Sequence, residues 1–250
     1  MWALAKQGDP VCDLGRGALA LLGVACVLAP ANAYAHVAGK ASRHATAAAA
    51  PTHLIAYVRS SIALRGRPFG RVIERLGPRT QFGSRRALGV VKVEKGRWLG
   101  VTQPGLGNHR LGWIDARAGG VRYVRTHTEL EVDLSSRALV VRRGTEVLRR
   151  MLVGIGRPGS PTPTGHFAVT DRLSGPAYSA YYGCCILALS ATQPNLPSGW
   201  TGGNRVAIHG TLSPSDFGRA VSAGCIHARE ADLRYLMRIA ALGTPVVIHA

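Results

Sequence analysis

The sequence predicts a mainly β protein, in which a small β-barrel is followed by a larger β-rich part. Three observations favour this fold. Short apolar runs separated by Gly and Pro fill residues 53–125, the run Glu129–Leu134 alternates strictly between polar and apolar residues, and only Glu230–Leu242 has helical spacing. With 250 residues and 46% apolar content, the chain can build a substantial core. Its five cysteines are too few for a small disulfide-stapled scaffold.

Residues 1–35 are predicted to be a signal peptide. Arg16 precedes the eleven-residue apolar run Ala18–Leu28, and the small residues of Ala31–Ala35 offer A-x-A cleavage sites. A helix of that length spans about 16 Å, well short of the roughly 30 Å hydrocarbon core of a bilayer. An uncleaved N-terminal anchor is the alternative, and either interpretation predicts export, with membrane contact only through this segment. Residues 36–52 are rich in Ala, Ser, Thr and His and are predicted to form a flexible linker.

Residues 53–125 are predicted to form a small, basic β-barrel. Trp98 and Trp113 lie in apolar runs and are expected in its core, with ligand stacking as the alternative. The arrangement resembles a bacterial SH3-like module. Its strands are expected in four short runs, namely Leu54–Val58, Gly89–Val93, Trp98–Val101 and Gly112–Ile114.

The positive charge of the chain is concentrated in this first part. Residues 36–126 carry 17 Lys and Arg against 3 Asp and Glu, whereas residues 127–250 carry 12 against 8. Outside the cell, such a module is expected to attract anionic wall polymers or lipid head groups. The alternative is that these arginines only solvate a small barrel. Nucleic acid is a general partner for such charge, but export argues against it, so no nucleic-acid partner is predicted.

The second part, residues 126–250, is predicted to contain a strand meander, a Gly/Pro-rich loop at 154–165, one helix and a closing strand. Gly243 and Pro245 follow the helical stretch Glu230–Leu242 and are expected to end it. The strands are expected at Glu129–Leu134, Leu139–Val141, Val147–Val153, Phe167–Val169, Ile186–Leu189, Arg205–Ile208 and Pro245–Ile248.

Two short segments carry residues suited to nucleophilic catalysis. His209-Gly210-Thr211 follows a predicted strand, and Ser222-Ala223-Gly224-Cys225 lies further along the chain. A thiol becomes a good nucleophile when an imidazole takes its proton, and the backbone N–H groups of Gly224 and Cys225 are expected to stabilise an oxyanion. On the residues alone, a buried cysteine beside an unrelated histidine is an equally good interpretation.

The order of these segments resembles the L,D-transpeptidase (YkuD-like) catalytic domain, whose motif is HG followed by S-H-G-C. Val153–Gly156 and Thr162–Phe167 are also similar to that family's VG and TPTG-x-F segments. The resemblance covers about half of the chain and implies a β-rich sandwich with one or two short helices. It implies Cys225 as nucleophile, His209 as general base and the Gly210 carbonyl as the group that orients the imidazole, with Ser222 and Gly224 shaping the turn.

This sequence departs from the family pattern at two positions. Ala223 stands where the family often has His, and His227 stands where it usually has Arg or Asn. His227, Thr211, Tyr182 and Trp200 are predicted to contact substrate. The aromatic segment Asp171–Gly203 is expected to form a lid over the site, the alternative being that its aromatic residues pack locally.

The resemblance implies acyl transfer between peptidoglycan stem peptides, through a Cys225 thioester, to give 3–3 cross-links. The alternatives are an L,D-carboxypeptidase that uses water as acceptor, and a non-catalytic wall-binding protein. No cofactor and no metal are predicted, since a zinc site of Cys225, His227, His209 and Cys184 lacks the usual ligand spacing. Cys184 and Cys185 are expected to be buried, inert thiols, because a bridge between adjacent residues is strained; a redox role near Cys225 is the alternative.

Overall fold

The structure is a computed structural model that describes residues 50–199 and 203–250, which lie in one compact unit, Ala47–Ala250. The predicted signal peptide and most of the predicted linker lie outside the described residues. Within the described ranges, no helix has the length and apolar character needed to cross a membrane.

The described residues are mainly β, as predicted. Seventeen strands and one α-helix follow in chain order, at β1 His53–Val58, β2 Ile62–Arg65, β3 Val72–Leu76, β4 Ala87–Glu94, β5 Trp98–Val101, β6 Gly112–Asp115, β7 Val121–Thr126, β8 Thr128–Asp133, β9 Ala138–Arg143, β10 Glu146–Leu152, β11 Ile155–Gly156, β12 Gly165–Ser174, β13 Cys185–Thr192, β14 Arg205–His209, β15 Ala220–Ser222, β16 Ile226–His227, α1 Glu230–Ile239 and β17 Pro245–His249.

Residues 53–126 form a seven-stranded sheet in the order β3-β2-β6-β5-β4-β1-β7. Its buried side chains include Leu64, Leu76 and Val101, and Trp98 and Trp113 are also buried. The four strands predicted here are present, whereas β2, β3 and β7 were missed. Strand β2 has only four residues, and charged residues interrupt the apolar pattern of β3 and β7. The likeness of this sheet to an SH3-like module stays a prediction.

Residues 128–249 form an eight-stranded sheet in the order β10-β9-β8-β17-β12-β13-β14-β16. The central strand β13 is buried along almost its whole length, as expected for a strand covered on both faces. Helix α1 contributes the fully buried Leu233 and Leu236 to the same core, and it begins with acidic and ends with basic residues, which suits the helix dipole.

The two sheets are joined by direct contacts. A side-chain Cβ at Gly89 of β4 would lie 2.7 Å from the Cβ of Ala168 of β12, so the strands approach too closely for any residue larger than glycine. Asn108 also donates to the Thr192 carbonyl oxygen at 2.7 Å. Residues before and after 127 therefore share one packed unit.

Three predictions about the second part need correction. The Gly/Pro-rich loop at 154–165 contains the two-residue strand β11, which pairs in parallel with β15. The predicted lid Asp171–Gly203 is not one loop, because Asp171–Ser174 extend β12 and Cys185–Thr192 form the buried strand β13. The consecutive polar residues Thr170, Asp171 and Arg172 concealed the full length of β12 from the sequence pattern.

The third correction concerns the adjacent cysteines, which were expected to be inert thiols. Cys184 and Cys185 form a disulfide with each other, and Cys225 is the free cysteine of the described residues. The bridge lies at the start of β13, where the Cys184 N–H donates to Glu230 Oε1 at 2.7 Å. Sequence adjacency argued against this bond, but the backbone here accommodates it.

Candidate active site

Two histidines lie side by side at the edge of the large sheet. Strand β16 pairs in parallel with β14, and the register places His209 opposite His227. Their ring centroids are 5.0 Å apart, and their exposed fractions are 2% and 3%. Parallel pairing thus brings together two side chains that are 18 positions apart in the sequence.

His209 is oriented by the residue that follows it. Its Nδ1 lies 2.6 Å from the Gly210 carbonyl oxygen, so this nitrogen carries the proton and Nε2 is left as the basic atom. Burial, together with the charge of His227, lowers the pKa of His209 to about 4. The ring is therefore neutral at pH 7 and able to accept a proton.

Gly210 occupies a position that has no room for a side chain. Its N–H donates to the Tyr182 carbonyl oxygen at 2.8 Å, and an added Cβ would lie 2.9 Å from both that oxygen and the Gly183 Cα. The segment that carries Tyr182 is therefore held directly against the histidine, and the Tyr182 ring contacts the His209 ring edge-on at 4.8 Å.

Cys225 lies in a tight turn between β15 and β16. The Ser222 hydroxyl donates to the Cys225 carbonyl oxygen at 2.6 Å and accepts from the Gly224 N–H at 3.0 Å. Gly224 has φ +116°, a conformation that favours glycine. Ser222 and Gly224 thus shape the turn, and the Gly224 N–H, predicted as an oxyanion donor, is instead bonded to Ser222.

Cys225 is a partly exposed residue, but burial of its thiol group raises the thiol pKa. Sγ lies 3.9 Å from the Arg205 carbonyl oxygen, its hydrogen-bond acceptor in this structure. The sequence predicted that an imidazole would take the thiol proton. The raised thiol pKa and the lowered pKa of His209 favour the neutral forms of both groups at rest, and the role of His209 as the base stays a prediction.

A cavity of about 700 Å³ joins these groups. Cys225, His209 and His227 all line it, together with Ser222 and the aromatic ring of Tyr182. A volume of this size accommodates an extended peptide of a few residues. The predicted nucleophile and the predicted base therefore line the same cavity.

His227 belongs to a chain of hydrogen bonds that the sequence did not predict. Its Nδ1 lies 2.8 Å from Asp216 Oδ2, and its Nε2 lies 3.3 Å from the Tyr181 hydroxyl. The Thr211 hydroxyl donates to the same Asp216 oxygen at 2.7 Å. Burial lowers the pKa of His227, and Asp216 opposes that effect.

Only some of the residues predicted to contact substrate line the cavity. Tyr182 and His227 line the cavity, whereas Thr211 is outside its lining and its hydroxyl is committed to Asp216. The Thr211 hydroxyl thus supports Asp216 in this structure, and its contact with substrate stays a prediction. Trp200 lies outside the described residues.

The structure also adds residues from distant parts of the chain. Phe82, from the turn between β3 and β4, reaches the cavity and contacts the Tyr178 ring at 6.4 Å. The Arg205 guanidinium lies 5.7 Å from the Phe82 ring and 3.8 Å from Asp171 Oδ2. No local motif marks Phe82, whereas Asp216 lies in the link between the two catalytic motifs.

Cys184 cannot serve as a zinc ligand in the alternative zinc site, because its sulfur is bonded to Cys185. Among residues 50–199 and 203–250, no group of three or more His, Cys, Asp or Glu side chains could hold a metal ion.

Comparison with known proteins places this site in a family. The model of the L,D-transpeptidase catalytic domain (YkuD) matches residues 127–248. A Bacillus subtilis protein named as the L,D-transpeptidase YkuD is 29% identical over 122 residues, which cover 48% of this chain and 65% of the relative. A Salmonella typhimurium protein named as the L,D-transpeptidase ErfK/SrfK is 31% identical over 118 residues, which cover 42% of this chain and 38% of the relative.

A solved structure of an L,D-transpeptidase from Mycobacterium smegmatis aligns at 18% identity and a TM-score of 0.40, covering 56% of this chain and 73% of that chain. This chain spans less than two thirds of the length of the two curated relatives. Residues 127–248, which contain both histidines and the cysteine, therefore belong to the YkuD family of L,D-transpeptidase catalytic domains.

Proposed function

We propose that this protein is a peptidoglycan L,D-transpeptidase that forms 3–3 cross-links through a Cys225 thioester. The observation that carries the proposal is that Cys225 and a neutral, Gly210-oriented His209 line one cavity within the family's catalytic domain. The substrate is a stem tetrapeptide, and the acceptor is an amine on a neighbouring stem.

In the first step, the Cys225 sulfur attacks the amide carbonyl carbon after the third stem residue. His209 Nε2 takes the thiol proton as the C–S bond forms and returns it to the departing D-Ala nitrogen. The Cys225 N–H is our candidate for the donor to the oxyanion, since the Gly224 N–H is bonded to Ser222.

In the second step, an amine attacks the thioester carbon, the C–S bond breaks, and the product is the 3–3 cross-link. If water is the acceptor, the same intermediate gives a tripeptide and the protein acts as an L,D-carboxypeptidase. Tyr182 and His227 are proposed to contact the stem peptide because both border the cavity beside His209.

Intact-protein mass spectrometry after mixing with a disaccharide-tetrapeptide tests the proposal. The wild type is expected to gain the mass of the donor minus D-Ala, and the adduct then resolves to a cross-linked dimer or a tripeptide. Cys225→Ala is expected to remain folded and to form no adduct. A dimer product from Cys225→Ala would end the proposal, and a wild type that forms neither adduct nor product would favour a non-catalytic wall-binding role.

A second proposed contact is with anionic wall polymers, through the first sheet. A pocket of about 350 Å³ there is lined by Arg59, Arg79, Arg85 and Arg122. None of the four forms a salt bridge with a carboxylate among the described residues, so their charge is available to an anion.

Co-sedimentation with purified cell wall at increasing salt tests this contact. Arg85→Glu with Arg122→Glu is expected to weaken binding at low salt, because exposed charges act over roughly a Debye length of 10 Å. Arg117→Glu with Arg219→Glu makes the same change in net charge outside the pocket and is the matched control. Equal losses in the two variants would assign binding to net charge alone.

Export and an SH3-like role for residues 53–125 complete the proposed function. Both follow from the sequence pattern of residues 1–125 and from a substrate that lies outside the cytoplasm. Detection of the mature N-terminus near Ala35 in a secreted fraction tests export.

A further inference from the structure

The cavity contains a second imidazole that the proposed acylation step does not use. His227 is held by a carboxylate, with Nδ1 at 2.8 Å from Asp216 Oδ2, whereas His209 is held by a neutral carbonyl. A carboxylate at Nδ1 fixes the tautomer that leaves Nε2 basic, and it stabilises the imidazolium that forms when Nε2 takes a proton.

The groups around His227 define where its proton can come from. Nε2 lies 3.3 Å from the hydroxyl of Tyr181, an exposed residue that lines the cavity. Burial raises the pKa of Tyr181, and the nearby charges of Asp216 and Cys225 add to that effect, so the hydroxyl stays protonated and donates to Nε2. On the far side, the hydrogen bonds from Thr211 and His227 hold the pKa of Asp216 below its ordinary value although burial opposes them.

Two bases suit the two halves of an acyl transfer. In the first half a proton must leave sulfur, and in the second half a proton must leave the attacking amine nitrogen. His209 and His227 are different bases at adjacent positions, and the charge of one lowers the pKa of the other, so they do not both hold a proton readily.

We infer that Asp216 and His227 form a second catalytic dyad, which serves as general base toward the acceptor amine while His209 serves the Cys225 thiol. The inference rests on the proposed function and extends it to the acceptor half of the reaction. The ligand class is a primary amine that enters the cavity beside Tyr181.

The chemistry balances without any further reactant. The uncharged amine nitrogen bonds to the thioester carbon, and the C–S bond breaks. One N–H proton passes to His227 Nε2 through the Tyr181 hydroxyl. The sulfur departs as a thiolate, which regains a proton by way of bulk solvent as the His227 imidazolium gives one up. In net terms one proton moves from nitrogen to sulfur.

The dyad gives the acceptor step its own pH dependence. The base is competent only when His227 is unprotonated, so resolution by amine rises with pH through the pKa of His227. Asp216, Tyr181, His209 and Cys225 are the titratable groups that face His227. Removing the Asp216 charge destabilises the imidazolium, so Asp216→Asn is expected to move this rise to lower pH.

The experiment separates the two halves of the reaction in the full-length protein. The acyl-enzyme is formed with a disaccharide-tetrapeptide donor, and D-Ala release is measured in a single turnover. A stem-peptide amine is then added as acceptor, or it is omitted so that water is the acceptor. His227→Asn is expected to lower the ratio of amine resolution to acylation by about 10²-fold, the lower range for general base catalysis. Tyr181→Phe and Asp216→Asn are expected to lower the ratio in the same direction.

His249→Asn is the matched control. His249 Nε2 pairs with Glu131 Oε1 at 3.1 Å, so it is also a histidine held by a carboxylate, but it lies outside the cavity lining. The ratio of amine resolution to acylation in His249→Asn is expected to equal that of the wild type.

The outcomes distinguish this inference from the proposed function. An adduct that forms in His227→Asn but resolves with amine at the wild-type ratio overturns the dyad and leaves the transpeptidase intact. Equal losses in both halves, or an unchanged pH profile in Asp216→Asn, also overturn it, because they indicate a merely structural role. If His227→Asn does not fold, Tyr181→Phe and Asp216→Asn decide the question alone, and failure of the wild type to form any adduct refutes the proposed function itself.

Discussion

The resting protonation state of Cys225 is open to direct measurement. The ordinary pKa of a cysteine is 9.0 here, and burial raises it, while the pKa of His209 is lowered to about 4. Both shifts act in the same direction, so burial disfavours transfer of the proton from sulfur to the ring in the free protein. The thiol is therefore expected to be protonated at pH 7.

Alkylation by iodoacetamide, followed by intact mass, reports the thiolate population. Its rate at Cys225 is expected to rise about tenfold per pH unit from pH 7 to 9, with no plateau at lower pH. His209→Asn is expected to change this rate by less than about threefold, because a resting ion pair is absent from the wild type, although the same substitution abolishes acylation by peptide.

A pre-formed thiolate–imidazolium pair would give the opposite results. Alkylation would then be fast and constant between about pH 5 and 8, and His209→Asn would slow it by orders of magnitude at pH 7. Either observation refutes the neutral resting pair. Cys184 and Cys185 do not interfere, since both sulfurs are in the disulfide.

Three further predictions concern stability. The pKa of His209 falls from 6.5 in the unfolded chain to about 4 in the folded protein. The neutral ring therefore contributes about 3 kcal/mol to the free energy of unfolding above pH 6.5, and this contribution is lost as the pH falls toward 4. Urea unfolding at pH 7 and pH 4 is expected to show a smaller loss of stability in His209→Gln than in the wild type. Gly210→Ala places a Cβ against Gly183 and Tyr182, so we expect about 1–3 kcal/mol of destabilisation by urea unfolding and a loss of acylation. Ser222→Ala removes both hydrogen bonds that the Ser222 hydroxyl makes in the turn before Cys225, so the free energy of unfolding is expected to fall by about 1–3 kcal/mol. A melting temperature equal to that of the wild type would contradict this prediction.

Strands with strong local patterns were predicted well from the sequence. The alternation in Glu129–Leu134 corresponds to β8 at Thr128–Asp133, and the helical spacing at Glu230–Leu242 corresponds to α1 at Glu230–Ile239. Strands with weak patterns were missed, such as β16 at Ile226–His227, which has two residues and depends on pairing with β14. Local periodicity cannot report a strand that exists only because a distant partner holds it.

The candidate site divides in the same way. His209, Gly210, Ser222 and Cys225 were found from two short motifs, and the structure brings them to one cavity or its turn. Their assigned roles stay predictions until the variants are measured. Asp216, although it lies between the motifs, was missed because a lone aspartate after a proline-containing turn has no distinctive spacing.

The order of the residues by itself determined which groups are candidates for chemistry: the sulfur of Cys225, a ring directly followed by a glycine carbonyl, and a turn that a serine and a glycine can close. These features are local, and a few neighbouring residues suffice to specify them. Only the tertiary structure decided the charge state of the sulfur and the ring, the carboxylate beside His227 and the presence of Phe82 in the cavity wall. The physical reason is that desolvation and Coulomb interactions depend on distance through space, and separate segments of the chain set those distances only when they pack together.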